Sequence, residues 1–180
     1  MNSVIALPTG FLSKLAVAAM TVAFLLVITG LQHFDGLIDL GNAVGLGNLH
    51  DRKMVAHAWT VTYAGAMLAI IVEFTAFVGL FFIFSPLLAF GAIIAAEVSA
   101  KLAMVTIVWV GKPTHKGLGS IFLAKAKKKL NFIAYGLSVL IVYPFFAYAL
   151  NPLLGLVSVA LVLVSVPVAI VMGKVSETRL

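Results

Sequence analysis

Five apolar runs, each long enough to cross a bilayer as one helix, constrain this chain more than any other feature. They are residues 11–31, 60–84, 87–110, 131–150 and 153–173. An α-helix rises 1.5 Å per residue, so about 20 residues cover the ~30 Å of hydrocarbon, and only a helix satisfies its own backbone within one such segment. The composition agrees: 63% of the 180 residues are hydrophobic and only 10% are charged, too few charges to coat a water-soluble body of this size. The expected fold class is therefore all-α, a polytopic membrane protein of about five transmembrane helices with two cytoplasmic loops, forming a single integral-membrane domain over residues 1–180. Lys14 near the start of the first run snorkels to the interface. A cleavable signal peptide is the rival for this run, disfavoured because no small-residue cleavage site follows before Gln32.

Proline sets the turns. Ser85-Pro86 separates the second and third runs and Asn151-Pro152 the fourth and fifth, so both pairs are expected as tight helical hairpins with their turns on one side. The opposite side then receives the loop 32–59, the loop 111–130 and the tail from Lys174. Ten of the 12 Lys and Arg lie there. The positive-inside bias makes that face cytoplasmic and places the amino terminus outside the cell membrane. The net charge of +6 is accounted for by these loops, so nucleic acid is not an expected partner. Cys is absent, which removes disulfides, thiolate metal sites and cysteine nucleophiles.

Chemistry-bearing residues gather on the same side. If the segment His33-Phe34-Asp35-Gly36-Leu37-Ile38-Asp39-Leu40-Gly41-Asn42 continues the first helix, Asp35 and Asp39 are four apart on one face, with Asn42 three further along. Two carboxylates without a counter-ion repel, and Mg²⁺ relieves this while preferring one or two carboxylates plus phosphate oxygens, so a metal-bridged diphosphate is the natural ligand. A solvated loop whose acids merely avoid lipid is the alternative. Glu97 and Lys101, four apart inside the third run, are expected either to pair on one helix face or to line a polar cavity. Glu73 stands alone in the second run. Gly117 and Gly119 flank Leu118 after a basic stretch, where backbone amides can approach phosphate or simply turn the chain. Residues 121–130, with Lys125, Lys127, Lys128 and Lys129, are expected as a short helix on the anionic membrane surface. His50, His57 and His115 show no metal-ligand spacing.

The run His33-x-Asp35-Gly36-Leu37-x-Asp39, followed by Gly41 and Ala43, resembles the signature loop of the cobalamin synthase family, the adenosylcobinamide-GDP ribazoletransferases. Asp51-Arg52-Lys53 with Gly65 is similar to that family's basic segment before a glycine-containing helix. Glu97-Val98-Ser99-Ala100-Lys101 resembles its Glu-x-x-Ala-Arg/Lys helix, and the stretch from Lys112 through Lys116 and Gly117 to Gly119 resembles the basic loop after it. The resemblance covers about residues 30 to 130. It implies transfer of adenosylcobinamide phosphate from adenosylcobinamide-GDP to the 5′ oxygen of α-ribazole or its phosphate, with release of GMP and Mg²⁺ as cofactor, in the last steps of cobalamin biosynthesis. In that scheme Asp35 and Asp39 hold Mg²⁺, Asn42 supplies a neutral oxygen or orients a metal-bound water, and Arg52, Lys112 and Lys116 clamp phosphate. Lys101 and Glu97 line the substrate site with Gly117 and Gly119. His33 is the candidate acceptor of the hydroxyl proton, an unperturbed imidazole titrating near neutral pH; a histidine capping a helix end is its bland alternative.

The chain also departs from the family pattern. Members usually carry a third acid where this chain has Asn42, often a His/Lys-Asp pair where it has His57-Ala58, and a Gly-Gly-x-x-Gly-Asp segment that would fall beyond Leu180. A truncated or degenerate relative that binds a corrinoid or assists a partner is the alternative expected on those grounds. A small carrier using Glu73, Glu97 and Lys101 is another. A different membrane phosphotransferase of nucleotide-activated alcohols is a third, although the Ala-Arg its signature needs does not follow Asp35-Gly36. Expected partners are the small-molecule substrates and membrane lipid, with a second copy or other corrinoid-assembly enzymes left open.

Overall fold

The computed structural model describes residues 9–46, 48, 51, 54–55, 60–83, 85–112, 118–126 and 129–179, and no strand occurs among them. Two compact units divide the chain, residues 1–84 and 85–180.

In the first unit, α1 (Thr9–Ile28) stops because of the backbone, not because apolar residues run out. Gly30 takes φ +64°, its N–H bonds to Val27 O at 3.0 Å, and the Leu31 N–H reaches back to Leu26 O at 2.9 Å. These are the paired bonds of a Schellman C-cap, which needs a residue in the left-handed region and favours glycine there. Leu31 follows at φ 61°, a conformation that costs an L-residue about 1–2 kcal/mol. The chain therefore turns sharply before α2 (Gln32–Val44), which is a separate helix and not the continuation of α1.

Thr62 starts α3 (Tyr63–Phe81): its hydroxyl accepts from Gly65 N–H at 3.2 Å, the N-cap bond that satisfies one orphan donor of a first turn. Phe11, at the start of α1, meets Phe81, at the end of α3, edge to face at 5.3 Å. The two helices are thus antiparallel, and α2 packs on α3 at the end where α1 stops. The crossing is close. A Cβ on Gly41 would lie 2.7 Å from both Ala64 O and Gly65 Cα, and one on Gly65 would lie 2.6 Å from Ile38 O. Only glycine lets the two backbones approach in this way.

The second unit opens with Ser85, whose hydroxyl accepts from Leu88 N–H, and Pro86, which begins α4 (Pro86–Val110). Proline suits the first helical position because its missing N–H would be unpaired there anyway. Next come α5 (Leu118–Ala126), a 3-10 turn (Lys129–Phe132) and α6 (Ile133–Ala149). Asn151 and Pro152 repeat the Ser85-Pro86 device at the start of α7 (Pro152–Leu163), with Asn151 Oδ1 accepting from Leu154 N–H at 2.9 Å. Between α7 and α8 (Ser165–Arg179) the ladder is interrupted at Val164. Pro167 explains the break, since it has no N–H to give to Leu163 O and its ring crowds that carbonyl. The fifth apolar run is one span in two pieces.

Gly91 against Phe145 and Trp109 against Phe132 show that α4 and α6 run antiparallel. Gly155 lets α7 lie on α6, a Cβ there meeting Ala147 N and Cβ at 3.0 Å. Leu102, Val142 and Val162 form the buried core, with Val98, Tyr135 and Phe146 packed around it. Four stretches have the length and apolarity to cross a membrane: Gly10–Ile28, Tyr63–Phe81, Pro86–Val110 and Pro152–Lys174; Ile133–Ala149 is a shorter apolar helix. Met20, Phe24, Phe74, Leu140 and Leu153 are each more than half exposed. Outward surfaces of this kind suit lipid and not water.

Candidate functional site

The acids predicted to hold a cation are on α2. Asp35 is exposed on its first turn and Asp39 is half-buried one turn later, so the two carboxylates share the face that their spacing predicts. Asp39 also contacts a neighbour. His33 stands on the same helix, but its side chain lies outside the described residues.

Asn42 differs from expectation. Its side chain is fully buried, and its amide is spent on the start of α3. Nδ2 donates to Thr60 O at 2.8 Å, while Oδ1 accepts from Thr62 N–H at 2.9 Å and from Thr62 Oγ1 at 2.6 Å. Both lone pairs of Oδ1 are taken, so Asn42 does not offer an oxygen to a metal here. It is a strut between two helices. An unpaired amide at zero exposure would cost about 1–3 kcal/mol, which is why the bonds are complete.

The remaining predicted residues belong to other places. Arg52, Lys116 and Gly117 lie outside the described residues. Gly119 sits in the first turn of α5, helical where a loop was expected. That helix runs Leu118–Ala126, its start three residues ahead of the expected one, and Lys127 and Lys128 lie outside the described residues. Lys112 is exposed just beyond the end of α4, after Gly111 closes the helix by bonding to Ile107 O at 2.7 Å.

Glu97 and Lys101 are both exposed on α4 in the second unit. No ion pair joins them among the described residues, so of the two alternatives expected at that spacing the pairing does not form. They edge a groove of about 270 Å³ between α4 and α6 whose walls are apolar, built by Val98, Leu102, Val105, Leu137 and Ile141 with Ser138. The nearby Thr106 hydroxyl is occupied by Leu102 O and Tyr135 Oη, each at 2.8 Å. Glu73 is half-buried on α3 of the first unit.

No group of three acid or histidine ligands occurs among the described residues. Among the described residues the donor set offered by α2 is two carboxylates. That set fits Mg²⁺, which retains waters and takes substrate oxygens, and does not fit a cation that needs a full protein cage. What sequence reasoning missed is Thr62, whose signal was present: a threonine directly before an apolar run is an N-cap.

Apolar helices of spanning length with a short two-carboxylate helix at the end of one unit define a polytopic all-α membrane protein with a candidate cation site. The family model described as cobalamin-5-phosphate synthase matches residues 2–180. The chain belongs to that family. An adenosylcobinamide-GDP ribazoletransferase of Methanocella arvoryzae is 33% identical over 114 residues, 62% of this chain and 42% of that protein. One from Methanosarcina mazei is 32% identical over 169 residues, and one from Methanosarcina barkeri 29% over 167, each covering 82% of this chain and 60% of the relative. The chain spans about half the length of the curated relatives it matches. No solved structure matches it.

Proposed function

We propose that this chain acts as the transferase its relatives are named for, joining the adenosylcobinamide phosphate of adenosylcobinamide-GDP to α-ribazole or its phosphate. The observation that carries this is the pair Asp35 and Asp39, one turn apart on one face of α2. The 5′ hydroxyl oxygen of the acceptor bonds to the corrinoid-side phosphorus as the P–O bond to GMP breaks. GMP leaves with the electron pair, and the hydroxyl proton is released. Such a transfer asks the protein mainly for positioning and charge neutralisation. Asp35 and Asp39 would hold Mg²⁺, which would supply charge neutralisation for the diphosphate. His33 accepts the hydroxyl proton on its imidazole. In the second unit, Lys101 and Lys112 are exposed on and just beyond α4, where they attract anions. The acid-bearing helix and the basic loops face the cytoplasm, on the strength of the Lys and Arg distribution, with the amino terminus outside the cell membrane.

GMP release from adenosylcobinamide-GDP plus α-ribazole, followed with the purified chain in liposomes, tests this. Release is expected to require Mg²⁺ and to fall by roughly a hundredfold in Asp35→Asn, as when a group stabilising transition-state charge is removed. Unchanged release in both Asp35→Asn and Asp39→Asn would remove the acid pair from the mechanism. A second reading, a corrinoid-binding relative without turnover, draws support from Asn42, whose amide is committed to Thr60 and Thr62 where family members usually carry a third acid. Corrinoid binding without GMP release would favour it.

A further inference from the structure

Two features bracket the two carboxylates along their helix. Ahead of Asp35 is the left-handed pair Gly30 and Leu31, and after Asp39 is the contact of Gly41 and Asn42 with the start of α3. The 13-residue helix holds Phe34, Leu37, Ile38 and Leu40 half-buried and Ala43 buried, and apolar packing of this kind is non-directional, so it does not by itself fix the helix's rotation about its own axis. Rotation matters, because it decides where both carboxylates point.

The groups able to fix it are few. Glycine at 41 and 65 lets the backbones touch but supplies no direction, since such a contact tolerates sliding and rolling. Asp39 makes a contact of its own, and Asn42 makes three directional bonds, two of which run to Thr62. The Thr62 hydroxyl does two jobs at once, donating to Asn42 Oδ1 and accepting from Gly65 N–H. It ties the roll of α2 to the first turn of α3. Asn42 lies three residues after Asp39, on the same face, so any roll that breaks its bonds displaces the acids equally.

We propose that Thr62, acting through Asn42, is a positioning residue for the acid pair Asp35 and Asp39. The inference rests on the cation-holding role given above to that pair, and it makes Thr62 a determinant of cation affinity although it contributes no ligand. Outer-shell groups that orient ligands change metal affinity by about 10–100-fold when removed.

The test uses the full chain in nanodiscs. The chain has no Cys, so Gly36→Cys on α2 and Ile70→Cys on α3, both exposed, supply a unique spin-label pair. The distance distribution between the labels reports the placement of α2, and Mn²⁺ binding followed by paramagnetic resonance on unlabelled chain reports the acids. Thr62→Val, isosteric but without the hydroxyl, is expected to broaden the distribution and weaken Mn²⁺ binding about tenfold, with overall helicity retained. Thr62→Ser keeps the hydroxyl and restores both. Asn42→Leu leaves the Thr62 cap on Gly65 intact but cuts the tie to α2, so it is expected to behave as Thr62→Val does. An unchanged distribution in both Thr62→Val and Asn42→Leu would overturn the proposal. So would a broadened distribution with Mn²⁺ binding still dependent on Asp35 and undiminished. If the intact chain binds no Mn²⁺ through Asp35 while the label distances respond, the role given to the acids fails and the link from Thr62 to α2 stands.

Discussion

The two units solve the same problem, holding helices together where lipid is as apolar as the side chains, by different means. In residues 1–84 the decisive contact is polar and backbone-close: the amide of Asn42 on Thr60 and Thr62, with Gly41 and Gly65 at the crossing. In residues 85–180 it is side-chain packing, with Leu102, Val142 and Val162 buried together and the ring of Phe145 seated over Gly91. Without a hydrophobic drive between helices in a bilayer, association relies on van der Waals fit and on hydrogen bonds. The difference follows from what each unit carries. The short carboxylate-bearing helix has a half-buried apolar side and is tied down in addition by directional bonds.

The most severe way to break this contrast is Gly65→Ala. The new Cβ would sit 2.6 Å from Ile38 O and collide with the Asn42 amide, and a backbone atom cannot step aside. A loss of about 3 kcal/mol is expected, from overpacking together with the broken polar network. Hydrogen exchange in nanodiscs should show it over residues 32–81 while residues 86–149 stay protected. Equal exposure of both stretches would mean that the units do not hold themselves together separately. Next in size is Leu102→Ala, which empties the centre of the second core. About 2 kcal/mol is expected, at the lower end for a buried leucine because lipid lacks the transfer term of water. Here the exchange pattern should reverse, with residues 86–149 losing protection. The smallest effect sharpens the comparison. A double-mutant cycle on Glu97→Gln and Lys101→Met should give a coupling below about 0.5 kcal/mol, since no ion pair joins the two and exposed pairs contribute little even when formed. A coupling well above that would add a second polar tie in this unit to the one that Thr106 makes with Tyr135.

Some of this was legible in the order of residues. Capping worked where the chemistry is local: Ser85-Pro86 and Asn151-Pro152 start α4 and α7 as their residue types predict, and Thr62 carries the same kind of signal before α3. The spacing of Asp35 and Asp39 likewise survived, because a period of 3.6 residues needs only a helix, whichever helix it is. The bend between α1 and α2 was less legible, since Gly30 and Leu31 close the apolar run 11–31 and hydropathy says nothing about φ. Pro167 marks the break between α7 and α8 within another such run. Asn42 was assigned to a metal by its place beside two acids, and the structure turned it toward Thr60 and Thr62 instead. Its partners are 18 and 20 residues away, beyond the reach of any local pattern.

By itself the sequence determined that the chain is an all-α membrane protein, roughly where its helices run, and that two carboxylates share a face. Those properties depend on hydrogen bonds within a segment and on transfer between water and lipid, both of which act residue by residue. Only the tertiary structure decided that α2 is a separate helix docked at Gly41 and Gly65, that Asn42 is a strut, and that Glu97 and Lys101 do not pair with each other. Each of these turns on which backbone or side chain comes within a few ångströms of another from a distant part of the chain, and no local periodicity encodes such a distance.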